Sequence, residues 1–186
     1  GAHPTGARRG PGAAATPRAG GRVPDRLAHL GVRAPGRLRH GRDDEPLQPM
    51  RLVDVVDRAA ERARRRFNRD VAVHADASLV NGRPGALERA VQNLIDNACK
   101  FAPTGAVDVM VLAGAVTVRD HGPGLIEADL PHLFDRFYRS VQMRGMPGSG
   151  LGLAIVKSVA EAHGGSVFAR NADGGGAELG FRLATM

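Results

Sequence analysis

The sequence predicts an α/β (α+β) fold: a two-layer sandwich in which a mixed β-sheet carries helices on one face. Three observations carry this. Apolar residues recur at spacings of three and four over residues 52–63, 85–101 and 151–163, the period of a helix with one buried face. Apolar and other residues alternate over 71–76, 107–120, 166–170 and 177–184, the period of a half-buried strand. The two kinds of segment are interleaved without regular βαβ alternation, so the sheet is expected to be mixed rather than wholly parallel.

Residues 1–49 come first and differ in kind. They are dominated by Gly, Ala, Arg and Pro and hold nine Arg against four acids. Pro4, Pro11, Pro17, Pro24 and Pro35 interrupt any long helix, and no apolar period persists, so the segment is expected to be disordered or weakly structured. A basic, Gly-rich arm can bind nucleic acid. This one has no aromatic residue for stacking, and nucleic acid is not expected as a partner. Residues 50–186 are read as the folded domain.

Within it, Leu52, Val55, Val56, Ala59, Ala60 and Ala63 mark an amphipathic helix ending in "RARRRFNRD". The run Arg64, Arg65, Arg66 reads as a solvated helix end, favourable at the negative pole of the dipole. "VAVHAD" (71–76) reads as a strand. A helix over about 85–101 is stopped by Pro103. "VDVMVLAGAVTVRD" (107–120) reads as two short strands around Ala113-Gly114, and "LIEADLPHLFDRF" (125–137) as short helix and turn. A helix over 151–163 ends at Gly164-Gly165, and two strands joined by "NADGGG" close the chain.

Composition narrows the class. Hydrophobic residues make up 42% of the 186, but aromatics only 4%, and Trp is absent; the core must be aliphatic. The net charge of +7 lies mostly in the N-terminal segment. The one cysteine, Cys99, excludes an intrachain disulfide. No apolar run reaches the roughly 20 residues of a membrane span, and the N-terminus has no apolar signal core. A cytoplasmic protein without a membrane span is the expectation.

Four stretches carry chemistry. In "QNLIDNACKFAP" (92–103), Asn93, Asn97 and Lys100 recur at the helical spacing of the apolar residues and form a second, polar stripe. Asparagine is a mediocre helix former, so the stripe asks for a reason. "VRDHGPGL" (118–125) places Asp120, Gly122 and Gly124 after a strand; a carboxylate can accept from an exocyclic amine and glycines let backbone approach a ligand. "LFDRFYRS" (133–140) concentrates Phe134, Phe137, Tyr138 and Arg139 in a chain poor in aromatics. "GSGLGLAIVK" (148–157) runs Gly148, Gly150, Leu151, Gly152 and Leu153 into a helix start, where free N–H groups suit phosphate. Each alone is also ordinary turn or core chemistry.

Together and in this order, they resemble the ATP-binding catalytic domain of sensor histidine kinases, in the ATPase superfamily shared with gyrase, Hsp90 and MutL. The likeness covers roughly residues 50–186. "NLIDNACKFAP" looks like the family's N box, "DHGPG" its G1 box, "LFDRFYRS" its F box and "GSGLGLAIVK" its G2 box. The resemblance implies ATP and Mg²⁺ as cofactors. Asn97 would hold Mg²⁺ through its amide oxygen, while Lys100 and Arg139 would contact phosphate. Asp120 would read the adenine amine in a pocket shaped by Gly122 and Gly124. Tyr138 and the Gly148–Leu153 stretch, with Gly148, Gly150 and Gly152 as its glycines, would belong to a flap that closes over the nucleotide. Asn93 stands where hydrolysing relatives commonly carry a water-activating glutamate; an amide cannot take that proton, which implies phosphoryl transfer rather than hydrolysis. Glu88, one position off, would point about 100° away.

The likeness breaks at the acceptor. Such kinases carry a phosphoacceptor in a stretch like His-Glu-x-x-Thr-Pro-Leu, and none of the seven histidines, His3, His29, His40, His74, His121, His132 and His163, stands in that context. The chain is therefore expected to be a fragment or a module acting in trans. It would phosphorylate a histidine of a separate phosphotransfer and dimerisation protein and, through it, serve a response regulator. An anti-sigma-type serine kinase and a non-catalytic ATP-binding module are the alternatives.

Overall fold

The computed structural model describes residues 45–141 and 148–186. Residues 1–44, most of the segment expected to be disordered, lie outside the described residues. The described chain runs β1 (Gln48–Arg51), α1 (Leu52–Phe67), β2 (Val71–Ala75), β3 (Leu79–Gly82), α2 (Pro84–Phe101), β4 (Val107–Leu112) and β5 (Ala115–Arg119). A 3-10 helix (Glu127–His132), α3 (Gly152–Ala162), β6 (Ser166–Asn171) and β7 (Ala177–Arg182) follow.

Five strands form one mixed sheet in the order β2-β4-β5-β7-β6. β2 pairs parallel with β4, Val71 beside Val107, and the other pairs are antiparallel. A parallel neighbour cannot be reached by a tight turn, and here β3 and α2 make the crossover. β4 and β5 need only the two-residue turn Ala113-Gly114, whose φ of 49° and 76° match the twist of a hairpin. Left-handed backbone is costly at alanine. Asp76 offsets that cost by accepting from Ala113 N–H at 2.7 Å, and the Ser78 hydroxyl and the Ala113 N–H hold the Asp76 carboxyl below its usual range.

Alternation along the strands puts Val107, Val109, Val111, Val116, Val118, Leu179 and Phe181 on the buried face. Against it lie α1, which buries all six of its predicted apolar residues, and α2, which buries Leu87, Ala90, Val91, Leu94, Ile95 and Ala98. Phe181 is the one aromatic among the largest fully buried side chains, so the core is aliphatic, as composition requires.

Two features were not read from the sequence. β1 and β3 form a separate antiparallel pair, Gln48 to Gly82 through Arg51 to Leu79. Residues 45–49, assigned from the sequence to the unstructured segment, are tied to the domain here. Glu45 accepts from Arg83 Nε and, through its carboxylate, from Gly85 N–H at 2.8 Å. That carboxylate meets a free N–H at the start of α2, where no side chain of the helix caps it. The arginine run is largely solvated at the helix end, as expected, and also has partners. Arg64 donates to Val71 O, Arg65 faces Glu61, and Arg66 donates to Asp96 on α2 at 2.8 Å. The helix end is partnered because α1 lies along α2 and the start of β2.

His163 explains the end of α3. Its Nδ1 lies 2.7 Å from Val159 O and its Nε2 3.0 Å from Arg83 N. A carbonyl only accepts and an amide N–H only donates, so the ring is the neutral Nδ1–H tautomer. It pins α3 to the entrance of α2.

Candidate functional site

α2 presents two faces. The apolar one enters the core; on the other, Asn93, Asp96, Asn97 and Lys100 form one wall of a cavity of about 330 Å³. Glu88 is turned away to α1, where its oxygens accept from Arg58 Nε and Arg62 Nη2. Opposite the stripe lie Gly148, Gly150, Leu151, Gly152 and Leu153 at the start of α3, with Tyr138. Asp120 and Gly124 form the inner end, and Leu125, Ile126, Leu133, Ile155 and Leu179 supply apolar surface. A concave, mostly apolar site with a few convergent polar groups is the ordinary form of a small-molecule site.

Asp120 ends β5 and is 3% exposed. Its Oδ1 accepts from Gly122 N–H at 2.8 Å and Ala177 N–H at 3.2 Å. Its Oδ2 meets no donor among the described residues and stays available on the cavity wall. Gly122 itself is not on that wall. It lies behind, where a Cβ would meet Phe101 O at 2.9 Å. Gly124 has φ 82°, and a Cβ there would meet Asn171 Oδ1 at 2.8 Å. Gly176 closes the turn between β6 and β7 with φ 84°, and a Cβ there would lie 1.9 Å from Asp120 O.

The α3 end is built differently. The helix starts at Gly152 with no side-chain cap from Leu151, and among the described residues its first N–H groups meet no partner. Gly150, at φ 70°, accepts from Phe137 N–H at 3.0 Å. Phe137 has φ 64° and is 70% exposed. Next to it, Tyr138 donates to Asp129 Oδ1 at 2.6 Å. The Ser140 and Tyr138 hydroxyls hold the Asp129 carboxyl below the usual carboxylate range, and Asp129 in turn pushes the Tyr138 phenol up. Arg139 is exposed and is not among the wall residues. Residues 142–147, the middle of the expected flap, lie outside the described residues.

Asn93 abuts the start of α3: a Cβ on Gly152 would lie 3.5 Å from its Oδ1. Its Nδ2 is buried without a partner among the described residues, an unmet donor on the cavity wall of a kind that native structures explain by a ligand, ion or water. Among the described residues no three His, Cys, Asp or Glu side chains converge on a metal position. The donor offered is the amide oxygen of Asn97. That suits Mg²⁺, a hard ion that takes few protein oxygens and keeps its water and phosphate ligands.

The structure thus brings together Asn93, Asn97, Lys100, Asp120, Gly124, Tyr138, Gly148, Gly150, Leu151, Gly152 and Leu153. Two acids on the same wall escaped the sequence reading. Asp96 accepts from Gln92 Nε2 and Arg66 Nη1; it sits three residues after Asn93, and the helical period that found the stripe also contains it. Asp129 meets Tyr138 only through the fold of the 3-10 helix, which no periodicity signals.

A family model described as histidine kinase-, DNA gyrase B-, and HSP90-like ATPase matches residues 82–185. The chain is 44% identical over 128 residues to the signal transduction histidine-protein kinase/phosphatase MprB of Mycobacterium avium (strain 104), covering 63% of this chain and 24% of that protein. With MprB of Mycobacterium bovis (strain BCG / Pasteur 1173P2) it is 40% identical over 139 residues, 69% of this chain and 27% of that one. It spans about a quarter of the length of these curated relatives. Among solved structures, the mycobacterial sensor histidine kinase MprB superposes with a TM-score of 0.68 at 37% identity, covering 74% of this chain and 98% of that one. The ATP binding domain of PrrB from Mycobacterium tuberculosis gives 0.63 at 30%, covering 76% and 99%. No helix among the described residues is long and apolar enough to cross a membrane.

Proposed function

The chain belongs to the histidine kinase-, DNA gyrase B- and HSP90-like ATPases, as an ATP-binding catalytic domain of the sensor histidine kinase type, and from that premise we propose that it transfers the γ-phosphoryl group of Mg-ATP to a histidine of a separate protein. The observation that carries this is the division of the cavity. A buried carboxylate with one free oxygen stands beside the last turn of α2, and Asn93, on the same helix, abuts the start of α3, where Leu151 provides no side-chain cap.

The free Oδ2 of Asp120 accepts from the exocyclic amine of adenine, with Leu125, Ile126 and Leu179 against the base. The helix start at Gly152 and Lys100 receive the phosphates, the one through oriented N–H groups and the other as a point charge. Asn97 Oδ1 would hold Mg²⁺, which when bound would supply positive charge to offset that of the phosphates. Transfer breaks the bond between the γ-phosphorus and the β–γ bridging oxygen. It forms a bond from phosphorus to the unprotonated nitrogen of a neutral imidazole, ADP leaves, and the ring's other nitrogen gives up its proton to solvent. Positioning and electrostatics supply most of what this step requires. Asn93 carries no base, so water at that place is not activated. Phe137, exposed beside Gly150, offers an apolar anchor where an acceptor helix would approach. A partner bringing the histidine would in turn serve a response regulator.

The test is labelling with γ-labelled ATP. No label is expected on this chain alone, and acid-labile label on a histidine of a helical-hairpin partner when the two are mixed. Asn97→Ala should lower that label by roughly 10²-fold or more while leaving the unfolding midpoint in place, since Asn97 lies on the cavity wall and not in the core. Acid-labile label on the isolated chain overturns action in trans. Acid-stable label on the partner overturns histidine as acceptor, and tight ATP binding without any transfer supports a non-catalytic module.

A further inference from the structure

Asn171, the last residue of β6, lies outside every motif that the family resemblance used. Its Oδ1 accepts from Leu125 N–H at 2.6 Å and its Nδ2 donates to Leu125 O at 3.0 Å. The side-chain amide thus does for Leu125 what a neighbouring strand would do, exchanging a donor and an acceptor with one residue's backbone. The same oxygen fills the space where Gly124 would carry a Cβ. Gly124, Leu125 and Ile126 all line the cavity beside Asp120, whereas Asn171 does not.

The neighbouring residues act on the same place. Ala172 N–H donates to Gly176 O, and Asp120 N–H to Ala177 O. Ala177 N–H returns a bond to Asp120 Oδ1. The turn between β6 and β7 therefore holds Asp120 from one side, and Asn171 holds the Gly124–Ile126 segment from the other. Without the amide, Leu125 would keep both backbone groups but lose the partner that fixes their direction.

We propose that Asn171 is a positioning residue for the nucleobase end of the cavity: by clasping both backbone groups of Leu125 it sets the distance between Asp120 and the apolar wall, without touching nucleotide itself. This rests on the ATP reading of the site.

Calorimetric titration of the intact chain with Mg-ATP and, separately, with inorganic tripolyphosphate tests it. Asn171→Leu keeps the shape and loses both bonds. ATP binding should weaken on the order of 5–10-fold and tripolyphosphate binding should stay unchanged, because the phosphates lie at the other end. Asn171→Asp gives a signature that a merely structural role would not. The carboxylate still accepts from Leu125 N–H but faces Leu125 O with no proton, whereas the neutral acid restores the donor. ATP affinity relative to wild type should therefore recover as pH falls from about 6 to about 3.5. Wild-type ATP affinity in Asn171→Leu, or a flat pH profile in Asn171→Asp, overturns the inference. If Asn171→Leu does not fold, the Asn171→Asp profile alone decides. Wild-type chain that binds tripolyphosphate but not ATP overturns the parent reading, and this one with it.

Discussion

The two ends of the cavity are held by different means. At the Asp120 end, backbone and side-chain bonds cross between β5, the Gly122–Leu125 segment, Asn171 and Ala177, and three glycines, Gly122, Gly124 and Gly176, sit where a Cβ would collide. At the Gly150 end, a backbone bond from Phe137 and the contacts of Tyr138 and Ser140 with Asp129 are among those that join the segment before α3 to the rest, and among the described residues nothing lies within 4 Å of a Cβ on Gly148. The first end is over-determined and sets geometry before any ligand arrives; the second can accept adjustment. The proposed function, in which one end would read a rigid planar base and the other follow a moving phosphoryl group, would use that asymmetry.

Gly176→Ala should break the comparison most severely. The added methyl lies 1.9 Å from Asp120 O at a φ of 84°, so overpacking and left-handed strain combine. A loss of about 3 kcal/mol or more in urea unfolding is expected, together with loss of ATP binding. Asp120→Asn comes next and sharpens it. The new side chain keeps an oxygen for Gly122 and Ala177 N–H, so the unfolding midpoint should hold, but the free position turns from acceptor to donor. ATP should bind more weakly by about 1–3 kcal/mol. GTP, whose base presents a carbonyl there, should gain relative to ATP in competition titrations. Equal shifts for both nucleotides would count against the base assignment.

Tyr138→Phe acts on the looser end. Asp129 is held below its ordinary range by Ser140 and Tyr138, so its bond to Tyr138 stabilises the fold above the unfolded carboxylate value near 3.9. That contribution is lost as pH falls through the lower folded value. The variant should be less stable than wild type at neutral pH, and the gap should close below about pH 4. A gap independent of pH would mean that the hydroxyl acts otherwise. Gly148→Ala is the smallest change expected, within about 0.5 kcal/mol in stability, since the methyl meets nothing and the backbone there is not left-handed.

Periodicity made the three helices, the β4–β5 hairpin and the β6–β7 pair legible, because each buries one face and repeats over several turns or rungs. The polar stripe was legible for the same reason, and Asp120 only in series with the other motifs, since a carboxylate followed by glycines is by itself ordinary turn chemistry. The β1–β3 pair escaped because its strands are four residues long, too short for a period. Gly82, which ends β3, is small because a Cβ would lie 2.5 Å from Leu87 Cδ1. Asn171 was assigned to a turn because its partner Leu125 is distant in sequence. Arg66 is exposed, as expected, but its partner Asp96 could not be named because it lies on another helix. Pairings of this kind depend on tertiary geometry and leave no local mark.

The parallel pairing of β2 with β4 has a consequence for how the protein comes into being. The helix bearing Asn93, Asn97 and Lys100 lies inside the crossover between those strands, so Val71 must find Val107 across the whole of β3 and α2. Loop closure over that span is paid before its contacts reward it, which makes such a pairing slow and late in folding. During synthesis α2 leaves the ribosome before the strand that completes its setting. The amphipathic helix therefore exists first with its apolar face uncovered, and that interval is when the nascent chain is most exposed to aggregation.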